Sequence, residues 1–146
     1  MMLTKKDLFN EDSINPHHFC MPVVKEESDL ISLRSCACSG NKKFFLGTDS
    51  APHHVNFKVP NMSSRAGIFS SPCSIELYAT IFEEENSLEN LESFSSYNGP
   101  TFYGLPINKE HIDLKKETWV VPQYTIENNV KIRNFQGGKK LNWKVI

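Results

Sequence analysis

A strand–helix–strand pattern near the start of the chain constrains the fold most strongly. Residues 17–24 and 43–47 are short, mostly apolar runs, and the second lacks polar alternation, as in a strand covered on both faces. Between them, residues 25–39 carry apolar side chains at the helical spacing i, i+3, i+7. Gly40 follows, where a helix end favours a left-handed residue. The pattern predicts a right-handed βαβ unit with two parallel strands, and therefore an α/β fold.

The remaining sequence predicts a long loop, two helices and a tail of strands. Residues 50–70 have no regular period, which predicts a loop of about twenty residues. The Ser-Pro pair at 71–72 suits the start of a largely buried helix. Residues 88–97 suit a second helix, which Asn98-Gly99-Pro100 should end. From residue 118 onward, apolar segments separated by turn signals predict short strands.

Composition and charge exclude two classes of partner. The formal net charge is −1 and the 16 Lys and Arg residues are spread along the chain, whereas a nucleic-acid surface needs a basic stripe. No apolar run approaches the roughly 20 residues of a membrane span, and the N-terminus lacks the apolar core of a signal peptide. A cytoplasmic protein is therefore expected. The four cysteines follow no metal or disulfide spacing and are expected to be reduced thiols.

One acidic residue stands where α/β proteins place their chemistry. Asp49 comes just after the apolar run that ends at Gly47, and His53 follows four residues later. Ligands of parallel sheets and barrels bind at the carboxyl ends of the strands, where a carboxylate can bind a metal ion, carry a proton, or do both. Alternatively, Asp49 caps the loop and His53 is an exposed side chain. Spacing alone leaves both interpretations open.

Longer motifs carry a family resemblance. They are CMPVVK at 20–25, FFLGTDSAPH at 44–53, SRAGIFSSPCSIELYATIFEE at 64–84 and YNGPTFYGLPIN at 97–108. In this order and spacing they resemble the C-terminal part of the dihydroorotases, of the single-function type found in enteric bacteria and some protozoa. The motifs cover most of residues 15–108, whereas residues from about 109 to 146 match loosely.

The resemblance implies an amidohydrolase fold and a reaction. The chain would hold the last two strands and following helices of a TIM-type (β/α)₈ barrel that binds a pair of zinc ions. In one barrel domain, residues 15–108 would supply strands, active-site loop and helices, and residues 109–146 a C-terminal segment. The complete enzyme would be a cytoplasmic homodimer that acts on a small-molecule substrate. It would interconvert N-carbamoyl-L-aspartate and L-dihydroorotate in pyrimidine biosynthesis.

The resemblance also implies roles for four residues. Asp49 would ligate one zinc ion and act as general base toward the bridging hydroxide, or as general acid in the reverse direction. His53 would bind the substrate carboxylate through its imidazole. Ala66 would contact the same carboxylate region through its backbone. Met21 would contact the pyrimidine ring through backbone groups.

Most of the family's metal ligands have no counterpart in this sequence. No H-x-H motif occurs, because the histidine pairs at 17–18 and 53–54 are adjacent. Each catalytic zinc needs about three protein ligands, so the chain is expected to be inactive by itself. Two alternatives stay open. The parent protein could be another cyclic-amide amidohydrolase, such as a hydantoinase, or the chain could be a non-catalytic assembly module derived from a barrel.

Overall fold

The chain has α/β content, with four α-helices preceding four strands in the described residues 1–9, 13–61 and 63–146 of this computed structural model. The helices are α1 (Lys5–Leu8), α2 (Glu27–Cys38), α3 (Ser74–Glu84) and α4 (Asn98–Tyr103). The strands are β1 (Leu114–Val120), β2 (Tyr124–Glu127), β3 (Val130–Arg133) and β4 (Lys140–Val145). Val55–Phe57, Ser71–Cys73 and Leu88–Asn90 are 3₁₀ turns, and Ser93–Tyr97 is a π-helical turn.

Helix α2 confirms the predicted helix between residues 25 and 39. The Asp29 carboxylate accepts a hydrogen bond from the Glu26 N–H (3.1 Å) and caps the first turn. Gly40 has φ +72°, as predicted for the residue that follows a helix. Ala37 is buried, but Leu33 is half exposed, so the helix buries its C-terminal end rather than a full apolar stripe.

The predicted strands at residues 17–24 and 43–47 are wrong for this structure, because neither segment forms a strand. A β-strand needs a neighbour that completes its hydrogen-bond ladder. The Leu46 N–H instead donates to the Phe94 carbonyl (2.9 Å), which lies in a helical turn. A parallel bridge begins only at Ser50, opposite Ile68. The predicted parallel strand pair is therefore not formed, although the helix between the two segments is.

Helix α3 is the buried helix predicted from residue 71, preceded by the 3₁₀ turn Ser71–Cys73. Its residues Ala79, Ile81 and Phe82 join a core cluster with Leu91 and Phe94. The Phe82 and Phe94 ring centroids lie 5.2 Å apart, within the favourable range for aromatic pairs. The core thus lies between α3, α2 and the helical turns that precede α4.

The prediction that Asn98-Gly99-Pro100 ends the second helix is wrong. The helical segment continues as α4 to Tyr103, and the helix ends at Gly104, whose φ is +66°. Pro100 is the third residue of α4, directly after the π turn Ser93–Tyr97. The Asn98 side-chain amide donates to the Phe44 carbonyl (3.1 Å), which ties this turn to the segment leading to Asp49.

The tail confirms the predicted short strands. β1 and β4 pair antiparallel, and β2 and β3 form a hairpin whose turn residues Asn128 and Asn129 have φ of +48° and +64°. Two positive φ values fit a type I′ turn, a signal that the sequence analysis missed. The Trp143 indole N–H donates to a Glu83 carboxylate oxygen (3.1 Å), which fastens β4 to α3. Within the part of the chain that the structure describes, no helix has the length and apolarity to cross a bilayer.

Candidate active site

A cavity of about 430 Å³ brings together three of the four predicted site residues: Met21, Asp49 and Ala66. They come from three separate segments, before α2, after the apolar run, and before α3. Helix α3 contributes Leu77 and Tyr78 to the cavity wall. The cavity is therefore lined by apolar residues together with Asp49, which carries a carboxylate.

Hydrogen bonds of the two residues that follow it, Ser50 and Ala51, position Asp49. The Ser50 hydroxyl oxygen accepts hydrogen bonds from the backbone N–H groups of Ser70 and Ser71 (3.0 Å each). The Ala51 N–H donates to the Ile68 carbonyl (3.0 Å). Asp49 itself is exposed and has φ +44°, a conformation that aspartate tolerates better than most residues. Within the described residues its carboxylate accepts no hydrogen bond, so it caps nothing there and is available to a ligand.

The backbone of Ala66 and Gly67 forms the part of the cavity wall that lies beside this segment. Gly67 has φ +144°, and a Cβ atom there would lie 2.6 Å from the Ala51 Cβ. Its N–H donates to the Phe19 carbonyl (2.9 Å), which joins the wall to the segment that carries Met21. The Ala66 N–H has no acceptor among the described residues. This part of the wall therefore includes a backbone N–H without a partner among the described residues.

His53 lies behind the wall and does not line the cavity. Its Nε2 is 3.0 Å from the Ala66 carbonyl oxygen. Because a carbonyl oxygen only accepts hydrogen bonds, Nε2 carries a hydrogen and donates it. Nδ1 takes no part in this hydrogen bond. His53 occupies a smaller cleft with Lys58. The structure thus links His53 to the predicted site residue Ala66 through one hydrogen bond.

Cys20 and Lys58 are two residues near the site that the sequence analysis did not single out. Cys20 lines the cavity next to Met21, and burial, with a smaller contribution from the Asp49 charge, raises the pKa of its thiol. The thiol stays protonated at neutral pH, which argues against a nucleophilic role. Lys58 is 8% exposed, and burial lowers its pKa to about 8. The one sequence signal for its burial is its position between Phe57 and Val59.

The described residues do not fit a zinc pair by themselves. Among them, no three His, Cys, Asp or Glu side chains lie close enough together to hold a metal ion. Asp49 could supply one ligand, and a catalytic zinc needs about three from the protein. Any metal centre at this cavity needs ligands from outside the described residues.

Known proteins share both the sequence and the fold. No family model matches the chain. The dihydroorotase of Erythrobacter litoralis is 46% identical over 132 residues, which are 90% of this chain and 38% of that protein. The dihydroorotase of Variovorax paradoxus is 39% identical over 145 residues, 99% of this chain and 42% of that protein. The chain belongs to the dihydroorotase family.

Solved dihydroorotases agree with this family assignment at the level of the fold. The crystal structure of dihydroorotase from Saccharomyces cerevisiae, in complex with 5-fluoroorotic acid, matches with a TM-score of 0.90 and 37% identity, covering 99% of this chain and 40% of that one. The dihydroorotase of Campylobacter jejuni matches with a TM-score of 0.85 and 29% identity, covering 99% and 42%. The chain therefore spans about two fifths of the length of the dihydroorotases it matches.

Proposed function

We propose that this chain is the C-terminal part of a zinc-dependent dihydroorotase, which interconverts N-carbamoyl-L-aspartate and L-dihydroorotate. The observation that carries the proposal is the cavity shared by Met21, Asp49 and Ala66, in a chain similar to dihydroorotases over nearly its whole length. The yeast relative is in complex with 5-fluoroorotic acid, a pyrimidine carboxylic acid, which supports a ligand of this class for the cavity.

In this proposal the chain completes a (β/α)₈ barrel. Residues 15–108 supply the barrel segments, the active-site loop and the helices, and residues 109–146 form the C-terminal segment. The segments at 17–24 and 43–47 become strands when neighbouring strands complete their ladders. The complete enzyme is a cytoplasmic homodimer. The zinc ligands other than Asp49 come from the part of the dihydroorotases that this chain does not span, so the chain by itself is inactive.

Asp49 carries the proton in the proposed reaction. Ring opening adds the oxygen of water to the ring carbonyl carbon and breaks the bond from that carbon to the ring nitrogen. The Asp49 carboxylate accepts the proton that water loses and returns it to the departing nitrogen. Ring closure runs the same transfers in reverse. An exposed carboxylate without a hydrogen-bond partner among the described residues suits this exchange.

The substrate carboxylate binds at the Ala66 wall. The Ala66 N–H is a donor at the cavity, and His53 adds its imidazole to the same region, by Nδ1 or after Nε2 leaves the Ala66 carbonyl. The backbone of Met21 contacts the pyrimidine ring from the other side. The apolar part of the cavity suits the ring faces, while the donors fix its orientation.

The test is turnover by a complete enzyme that carries this chain as its C-terminal part. The wild type should hydrolyse L-dihydroorotate and leave hydantoin unchanged. Asp49→Asn should lower kcat by about 10²- to 10⁴-fold from the loss of the proton carrier. Asp113→Asn is the matched control, because Asp113 is exposed and does not line the cavity. Asp49→Asn turnover above a tenth of the wild-type value would contradict the assignment, and preferred turnover of hydantoin would favour the alternative amidohydrolase.

A further inference from the structure

Lys58 is a buried lysine whose ammonium group is bonded entirely to backbone carbonyls. Its Nζ donates to the carbonyl oxygens of Arg65 (2.7 Å), Gly67 (2.7 Å) and Phe19 (3.2 Å). An ammonium has three donors, so all of them are used. Burying a charge is costly unless it is fully hydrogen-bonded, and no described carboxylate pairs with Lys58. Such an arrangement fixes the position of the three carbonyls.

The three acceptors belong to two of the segments that line the cavity. Arg65 and Gly67 flank Ala66, and the Ala66 carbonyl accepts from His53 Nε2 (3.0 Å). Three successive carbonyls therefore bond to Lys58 and His53. Phe19, the third acceptor, also accepts from the Gly67 N–H (2.9 Å) and leads directly to the segment that carries Met21. Lys58 is therefore bonded to the segment that carries Ala66 and to the segment that carries Met21.

The charge behind the wall is positive. Burial lowers the pKa of Lys58 to about 8, so the ammonium is charged at pH 7. Arg133 lines the same small cleft, whereas no Asp or Glu of the described residues does. Burial first, and then the charges of Lys58, Arg133 and His18, lower the pKa of His17, which makes it neutral at pH 7. The Cys20 thiol, whose pKa is raised, is neutral too. A negative ligand at the Ala66 N–H is thus attracted by the Lys58 cation, which has no acidic neighbour among the residues that line its cleft.

We propose that Lys58 is a positioning residue for the carboxylate of the substrate. It holds residues 65–67 so that the Ala66 N–H faces the cavity, and it places a positive charge behind that donor. The role rests on the proposed function, because it presumes a ring that carries a carboxylate. It differs from the roles of Asp49, His53, Ala66 and Met21, since Lys58 touches the wall and not the substrate.

The test compares Lys58→Met and Lys58→Arg in the complete enzyme, with Lys42→Met as the control for loss of an exposed lysine. Lys58→Met should raise KM for dihydroorotate about 10- to 100-fold, the loss expected for a charge-assisted contact, and change kcat by less than about 3-fold. Lys58→Arg keeps the cation and should recover most of the loss. 5-Fluoroorotate should lose affinity to the same degree, while 5-fluorouracil, which lacks the carboxylate, should not. A lowered melting temperature with unchanged KM would overturn the proposal.

A second measurement separates this proposal from the proposed function. In the 146-residue chain, Lys58→Met should accelerate hydrogen exchange of the Gly67 amide at least about 10-fold, because the three hydrogen bonds from Lys58 to the backbone carbonyls are lost. Lys42→Met should leave this exchange unchanged. Unchanged exchange in Lys58→Met overturns the positioning role whatever the enzyme does. If the exchange result is as expected but the wild-type enzyme does not convert dihydroorotate, the proposed function is refuted. The positioning of residues 65–67 by Lys58 then still holds.

Discussion

Gly67→Ala tests whether the wall of the cavity depends on the absence of a side chain at one position. The backbone there has φ +144°, which L side chains rarely adopt. The new Cβ would lie 2.6 Å from the Ala51 Cβ and 3.0 Å from two His53 ring atoms. Ala51 cannot retreat easily, because its N–H is bonded to the Ile68 carbonyl (3.0 Å). The substitution therefore adds a steric clash to backbone strain.

Two independent costs set the expected magnitude. A residue held in a sparsely populated backbone region costs about 1–3 kcal/mol. Overpacking a filled site costs another 1–3 kcal/mol or so. The free energy of unfolding should therefore fall by roughly 2–6 kcal/mol, a large part of the stability of a domain of this size.

Two other glycines provide matched controls in the same chain. At Gly104 the backbone φ is +66°, but no atom lies within 4 Å of the Cβ that Gly104→Ala would add. This substitution should therefore lower the free energy of unfolding by about 1–2 kcal/mol, from the backbone conformation alone. Gly47→Ala meets nothing within 4 Å and has no positive φ, so it should be neutral or stabilising by up to about 1 kcal/mol. Urea unfolding followed by circular dichroism gives all three values, provided that the m-value is unchanged. A Gly67→Ala loss no larger than the Gly104→Ala loss would refute the steric argument.

Three further predictions concern the imidazole, the buried lysine and the tail. His53→Ala should lower kcat/KM of the complete enzyme about 10- to 150-fold, mostly through KM, with zinc content unchanged; lost zinc would mean a metal-ligand role. Since the pKa of Lys58 is about 8 when folded and 10.5 when unfolded, the unfolded chain binds more protons between these values, and stability rises with pH there. The unfolding free energy of the wild type minus that of Lys58→Met should increase by up to about 3 kcal/mol from pH 8 to 10.5. A difference that does not change with pH would contradict the lowered pKa. Asn134→Leu leaves the Pro122 carbonyl and the Thr125 hydroxyl without their partner (3.0 and 2.8 Å) and should cost about 1–3 kcal/mol per group in urea unfolding, whereas exposed Asn142→Leu should cost less.

Local patterns predicted those parts of the fold that depend on local contacts. Helices α2 and α3 follow from apolar spacing and from residues suited to helix ends, all within one short segment. The strands expected at 17–24 and 43–47 failed, because a strand depends on a neighbour that the segment itself does not contain. The prediction that Asn98-Gly99-Pro100 ends a helix failed for a related reason. Its continuation depends on a π turn and on a contact from Asn98 to Phe44, distant in sequence.

The candidate site divides in the same way. The resemblance named Met21, Asp49 and Ala66, and the structure brings these three to one cavity. The hydrogen bond from His53 Nε2 to the Ala66 carbonyl sets the direction of the imidazole and leaves Nδ1 free. Sequence spacing could not predict this contact. Lys58 was missed because a lysine in a polar loop is usually exposed, and its burial results from carbonyls up to 39 residues away.

The tail contributes to the candidate site. Ser50 bridges Ile68, and Phe69 bridges Asn134, both in parallel, so three extended segments lie side by side with Asp49 just before the first. The Phe135 N–H donates to the Phe69 carbonyl (2.8 Å), and the Phe135 side chain reaches the cavity wall. Most of these links join backbone to backbone and therefore impose little on side-chain identity. The tail can therefore keep its place beside the cavity with few constraints on its side chains, in a chain that matches the yeast dihydroorotase over 99% of its length with a TM-score of 0.90.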